Sequence, residues 1–204
     1  MPLQNRVQPN GEIIAISARG TFTGNRGIIH RADQTLGTSR WSHHAWICCT
    51  LDWQGRKRSV MSGRNWTELF FLDEAVALAA GHRPCGYCRR ADYTGFVDAW
   101  ETVSGTRPSA KDMDRTLHAS RVTRKRAKIT YRSPLNTLPS GAFIEICEQV
   151  YLWHNQRLHP YTANGYQAPI VANIETMVTV LTPHPIISVL SAGYAPQLHP
   201  SCLL

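Results

Sequence analysis

Acidic residues are scarce in this chain, long apolar runs are missing, and cysteines are too few for a disulfide scaffold. Only 14 Asp and Glu stand against 22 Lys and Arg, leaving a formal charge of +8 with histidine neutral. Such a balance favours polyanions, nucleic acid or an anionic membrane. No stretch reaches the ~18 apolar residues of a membrane-spanning helix. The opening Met1-Pro2-Leu3-Gln4-Asn5-Arg6 has no apolar core of a secretory signal. No membrane association is therefore expected, and nucleic acid is the expected partner. The cysteines lie at 48, 49, 85, 88, 147 and 202. So few in 204 residues point to reduced thiols in a cytoplasmic setting, some of them on a metal. P-loop, catalytic-triad and metal-hydrolase motifs are also absent. What is present is 43% hydrophobic, enough for a packed core rather than disorder.

The most structured stretch runs from Thr67 to Arg90. Leu69-Phe70-Phe71-Leu72 is an apolar run of strand length. Asp73 is suited to cap a helix, because its carboxylate can accept from the first free amides. Glu74 places negative charge at the helix's positive end, and the Ala-rich turn after it has high helix propensity. Gly81 can adopt the left-handed conformation that ends a helix, and Pro84 prevents resumption. Cys85 and Cys88 follow at a spacing that lets both thiolates bind one tetrahedral zinc.

The segment Phe71-Leu72-Asp73-Glu74-Ala75-Val76-Ala77-Leu78-Ala79-Ala80-Gly81-His82-Arg83-Pro84-Cys85-Gly86-Tyr87-Cys88 resembles the second half of the Ada-type zinc-binding domain. That family includes a methyl-phosphotriester repair domain and small modules attached to nucleases. The resemblance covers residues 67–90 only. It implies zinc (Zn2+) as cofactor and contact with the DNA backbone, with DNA favoured over RNA. Upstream, Gly24-Asn25 and Ile29-His30 resemble the Gly-Asn…Tyr-His entry of the nuclease-linked modules, which implies His30 as a ligand. Asp33-Gln34-Thr35 stands where those modules carry a cysteine. The first cysteine pair is the adjacent Cys48-Cys49, so the methyl-acceptor chemistry of the repair domain is not carried over.

Two zinc donors must come from upstream of the Cys-x-x-Cys. Adjacent residues on a strand point to opposite faces, so one of Cys48 and Cys49 is expected on the metal, and Cys49 is favoured. The fourth donor is open among His30, His44, Cys48 and His82. The remaining histidines, such as His154, His159, His184 and His199, read as hydrogen-bonded or solvated.

Elsewhere, Gly11–Ser17 and Trp46–Trp53 read as strands. A hairpin turn is expected at Gly55-Arg56-Lys57-Arg58, with Ser59-Val60-Met61 returning. Tyr93, Phe96, Val97 and Trp100 fall at helical spacing and form a core-facing stripe ending at Gly105. Ser109-Ala110-Lys111-Asp112 is a helix start. The densest basic run follows, with Arg121, Arg124, Lys125 and Lys128 on one expected helical face turned toward phosphates. After Pro134 the reading is of strands at 142–146, 150–153, 170–174 and 177–181, with 186–190 either strand or short helix.

The expected fold class is α+β. A small antiparallel sheet with a zinc knuckle and helices is followed by a β-rich C-terminal subdomain. The expected division is residues 1–105 as an Ada-like zinc-binding domain, 106–133 as a basic helical connector and 134–204 as the β-rich subdomain. The expected function is a zinc protein that binds nucleic acid, acting in DNA repair or on modified DNA. Arg83, Arg89, Arg90, Arg121, Arg124, Lys125 and Lys128 would supply phosphate contacts. The alternatives are an enzyme on nucleic acid, glycosylase- or nuclease-like, with its site between the halves, or a zinc-stabilised protein-interaction module. Asp33, Glu68, Asp73, Glu74, His118 and His159 are the acid–base candidates, although Asp73 and Glu74 read more simply as a helix start.

Overall fold

The computed structural model describes residues 1–56, 59–62 and 65–203. Its first half runs β1 (Gln4–Val7), β2 (Ile13–Ala15), β3 (Phe22–Asn25), β4 (Ile47–Thr50), β5 (Leu69–Phe71), α1 (Glu74–Ala79), β6 (Arg83–Pro84), α2 (Arg90–Ser104) and α3 (Ala110–Arg121). The second half runs β7 (Tyr131–Pro134), β8 (Ala142–Ile146), β9 (Gln149–His154), β10 (Arg157–Thr162), β11 (Gly165–Tyr166), β12 (Met177–Val180) and α4 (His184–Ser191). The fold is α+β, as expected, with two six-stranded sheets ordered β2-β1-β5-β3-β4-β6 and β11-β10-β9-β8-β12-β7. The second sheet is antiparallel throughout, whereas the first contains parallel pairs β1/β5 and β4/β6. None of the described helices is long and apolar enough to cross a membrane.

α1 explains how the halves join. All six of its residues are buried, and a helix buried all round needs an apolar, largely small-residue sequence, which Glu74-Ala-Val-Ala-Leu-Ala79 supplies apart from its first residue. It lies between β5 and β8, and its alanines share one core with Phe71 of the first sheet and Phe143, Leu152 and Tyr161 of the second. Asp73 caps it through Oδ1, which accepts from the Val76 amide at 2.9 Å. Leu78 belongs to a second core with Phe96 and Val97 of α2, Met113 and Leu117 of α3, and Val189 of α4. The segment 106–133, expected as a connector, thus supplies Met113 and Leu117 to the interior.

The caps at Asp73 and Ser109 and the stop at Gly105 stand where the sequence placed them. Other boundaries differ. α3 ends at Arg121, so the expected basic helical face does not form. Val122 is extended and bridges to Lys128 across a turn in which Arg126 has φ +67°. The β-branched pair Val122-Thr123 favours that extension. Residues 59–61 form a turn rather than a returning strand, and Lys57 and Arg58 of the expected hairpin lie outside the described residues. Only Ile170 of 170–174 makes a bridge, to Leu158. β1, β3, β6, β7, β10 and β11 were not anticipated, and β3 falls in a Gly-rich stretch that reads as irregular. Residues 186–190 lie within α4.

Candidate metal centre

Parallel pairing of β4 with β6 sets the site. Cys48 stands opposite Pro84 in register, and the Cys85 amide donates to the Cys48 carbonyl at 2.9 Å. Alternation along β4 then sends Cys48 into the core at 0% exposure and turns Cys49 toward the Cys-x-x-Cys loop. The Sγ atoms of Cys49, Cys85 and Cys88 lie within 4.8 Å of one another. Tetrahedral zinc with bonds of ~2.3 Å would space its sulfurs by ~3.8 Å, so this donor set fits such an ion. The Tyr87 amide donates to the Cys85 sulfur at 3.4 Å, which favours a thiolate there.

The protons of the cluster show why a cation suits it. Hydrogen bonds from Cys49 and then Cys88 favour the Cys85 thiolate and push its pKa well below the ordinary thiol range. The same contacts, to Cys85 first and then Cys88, push the Cys49 thiol far above its ordinary range, with burial adding to the shift. Three thiolates at this separation would repel one another, and a metal ion bound there would take the place of the protons.

Among the described residues, no fourth His, Cys, Asp or Glu completes the cluster. His30, expected as a ligand, instead bonds the Thr67 hydroxyl through Nδ1 at 2.6 Å. His44 stacks on His118 with ring centres 3.7 Å apart. His82 is buried, with Nδ1 3.3 Å from the Ala77 carbonyl and Nε2 accepting from Arg26 Nε at 3.3 Å. Burial and the neighbouring Arg26 and Arg121 hold its pKa well below the ordinary value, so the ring is neutral.

The open side of the cluster meets a cleft of about 230 Å³, where Cys49 and Cys88 share the wall with Trp53, Trp66, Glu68 and Tyr87. Trp53 and Tyr87 pack edge to face at 5.6 Å, and Tyr87 is 63% exposed. Glu68 Oε2 accepts from the Met61 amide at 2.6 Å, while Oε1 is buried without a hydrogen-bond partner. Sequence reasoning named Glu68 but not the aromatic wall. Tyr87 inside the Cys-x-x-Cys and Trp53 four residues after Cys49 were the available signals.

The cationic candidates divide into two groups. Arg83 forms a two-pronged ion pair with Asp114, at 2.8 Å from both Nε and Nη2. Arg89 is buried against Glu74 at 2.8 Å and Asp92 at 3.1 Å. Arg121, expected on an outward face, is 1% exposed, and donates to the Gly81 and His44 carbonyls at 2.8 and 2.7 Å. These three arginines are held by carboxylates and carbonyls within the protein rather than standing on an outward face. Lys128 is partly buried and donates to the Ala79 carbonyl at 2.7 Å. Arg90, Arg124 and Lys125 remain exposed.

The acid–base candidates do not come together. Exposed Asp33 closes a turn onto Thr35. Asp73 accepts from the Tyr166 hydroxyl at 2.7 Å and the His199 amide at 3.0 Å. Glu74 accepts from the Tyr194 hydroxyl at 2.6 Å and the Gln197 amide at 2.9 Å. His159 is buried 3.6 Å from the Cys202 sulfur. His118 sits among His44, Trp41 and Trp46. Glu68 alone of them lines the cleft beside the cysteines. No protein-family model matches this chain, and no curated protein or solved structure is significantly similar to it.

Proposed function

We propose that this is a zinc protein that binds nucleic acid, DNA in preference to RNA, by taking a base into the aromatic cleft beside Cys49 and Cys88. The observation that carries the reading is the three-thiol cluster without a fourth protein donor among the described residues, bordering a wall of Trp53, Trp66 and Tyr87. Zinc held by three protein ligands keeps a position for water or substrate. Aromatic side chains stack unpaired bases with little regard to sequence. Exposed Arg56, Arg90, Arg124 and Lys125 and the net charge of +8 suit a phosphate backbone. The resemblance of residues 67–90 to Ada-type domains points the same way and suggests work on damaged or modified DNA.

A second reading, an enzyme on nucleic acid, is favoured by one specific observation. Glu68 Oε1 is buried and unpartnered in the same cleft, where it could accept a proton from a water molecule attacking a substrate. The test is metal analysis of the purified protein, followed by tryptophan-fluorescence titration with single- and double-stranded oligonucleotides. Zinc near one per chain is expected, with a Trp53→Ala variant binding on the order of 5- to 150-fold more weakly, the range of one lost base stack. A metal-free protein, or undiminished affinity in that variant, refutes the reading. Glu68→Gln that binds normally but loses turnover would select the enzyme; full turnover would dismiss it.

A further inference from the structure

A second cavity is lined by none of Cys49, Cys85 and Cys88. Arg26, Arg121 and Lys128 line a cavity of about 350 Å³ together with Trp41, Trp46 and Glu12. The guanidinium carbons of Arg26 and Arg121 lie 3.9 and 3.7 Å from the Trp46 ring centre. Arg26 and Arg121 are 2% and 1% exposed. Their known partners are all neutral: the Gly11 carbonyl and His82 for Arg26, the Gly81 and His44 carbonyls and His118 for Arg121, and the Ala79 carbonyl for Lys128. Among the described residues, no carboxylate lies within ion-pairing distance of any of the three. Arg26 Nη2 and Arg121 Nε are buried without a hydrogen-bond partner.

Buried cations are ordinarily paired, because removing a charge from water is expensive. Here two buried guanidinium groups converge with the partly buried Lys128; Arg26 opposes the charge on Arg121, and both oppose the charge on Lys128. Burial first, and then repulsion from Arg26 and Arg121, brings Lys128 down to about 7. Burial and Arg26 bring Arg121 to about 8, with Asp114 pulling weakly the other way from its own pair with Arg83. Burial and Arg40 bring Arg26 to about 9. Nearby Asp114 is committed to Arg83, and Glu12 on the rim is exposed. Gly81 at φ +93° lets the Arg121 side chain pass where a Cβ would come within 2.5 Å of Cδ.

We infer that this cavity is an anion site for a phosphate monoester, the phosphate held by Arg26, Arg121 and Lys128 and the organic part lying along Trp41. A dianion would supply the missing countercharge and accept from the free Arg26 Nη2, Arg121 Nε and Lys128 protons. The volume falls in the ~300–1,000 Å³ range of small-molecule sites. The phosphate could belong to a free nucleotide or to the 5′ end of a strand. The site is separate from the cysteine cluster and stands or falls without it.

The test is isothermal titration and thermal melting of the intact protein in phosphate-free buffer. The probes are inorganic phosphate, a nucleoside 5′-monophosphate, and single-stranded oligonucleotides with 5′-phosphate or 5′-hydroxyl ends. Phosphate and the monophosphate should raise the melting temperature of the wild type as saturable ligands do. Lys128→Met should lose affinity on the order of 30-fold or more, the consequence of removing one partner from a buried charge contact. In phosphate-free buffer that variant should melt no lower than the wild type, because it removes an uncompensated charge; a purely structural lysine would give a lower melt. Arg26→Gln is the second variant and should likewise lose the phosphate response. Preference for the 5′-phosphorylated strand over the free monophosphate would assign the source to a nucleic-acid end, and the reverse to a free nucleotide. No response to any phosphorylated probe, or an undiminished response in Lys128→Met, overturns the site.

Discussion

Replacing Asp114 by Asn tests whether Arg83 serves the interior or a polyanion. Both carboxylate oxygens bond Arg83 at 2.8 Å, and the two side chains are 7% and 11% exposed. Breaking a buried pair by removing one partner's charge leaves the other uncompensated and costs about 3–5 kcal/mol. Asp114 is also the one group that offsets the repulsion suffered by Arg121, which places the effect toward the upper end. For a chain of 204 residues, each kcal/mol shifts the melting temperature by roughly 2–4 °C, so the variant should melt on the order of 6–20 °C lower. The assay is calorimetric or circular-dichroism melting at matched metal occupancy, with nucleic-acid affinity measured on the folded fraction. Affinity should be unchanged. The double variant Arg83→Met with Asp114→Leu should recover most of the stability, since apolar replacement of a buried ion pair is often neutral or better. A shift under ~2 °C, less than one kcal/mol for this size, together with weakened DNA binding, would refute the inward role and return Arg83 to the phosphate-contacting set.

Three further outcomes are expected. Cys49→Ser, Cys85→Ser or Cys88→Ser should lose metal by elemental analysis, while Cys48→Ser, whose side chain is in the core, should retain it. Stability of the wild type should fall as pH drops below about 6.5, because the unfolded chain takes up a proton there that folded, neutral His82 refuses; a folded-state value lowered below the unfolded one loses stability on the acid side, by up to about 1.4 kcal/mol per pH unit. Denaturant titrations at pH 7.5 and 5.5 should therefore diverge less for His82→Gln than for the wild type. Neutralising exposed Arg124 and Lys125 should lower the salt dependence of DNA affinity by roughly 0.7–0.9 in log–log slope per contact, whereas an unchanged slope would make them a solvated surface.

Local chemistry made much of this fold legible. Asp73 and Ser109 cap their helices, Gly105 ends α2, and strict alternation separated Cys49 from Cys48. What escaped the sequence was non-local. The last turn of α3 could be read as continuing, because nothing in Arg121-Val122-Thr123 reveals that Arg121 turns toward the Gly81 and His44 carbonyls. The hairpin of β9 and β10 was hidden twice. Its two-residue turn, Asn155-Gln156 at φ +48° and +58°, lacks the glycine that signals such turns, and Pro160 within β10 argues against a strand. Arg83 and Arg89 looked like phosphate ligands beside the cysteines because their carboxylates, Asp114 and Glu74, come from other helices. His30 is aligned by sequence with a ligand position, yet the Thr67 hydroxyl holds its ring away.

The enclosed position of α1 ties it to residues that leave the ribosome long after it. Its N-terminal carboxylates wait for groups near the far end of the chain: Asp73 for Tyr166 and His199, Glu74 for Tyr194 and Gln197. A ribosome that has released only residues 1–133 has produced every cysteine of the metal cluster, but a helix whose β8 face is bare and whose acidic end is unsatisfied. Glu74 also steadies Arg89, the residue after Cys88. The Cys85–Cys88 loop therefore gains this support only once Tyr194 and Gln197 have reached Glu74, and a chain lacking them should hold the three thiols less firmly.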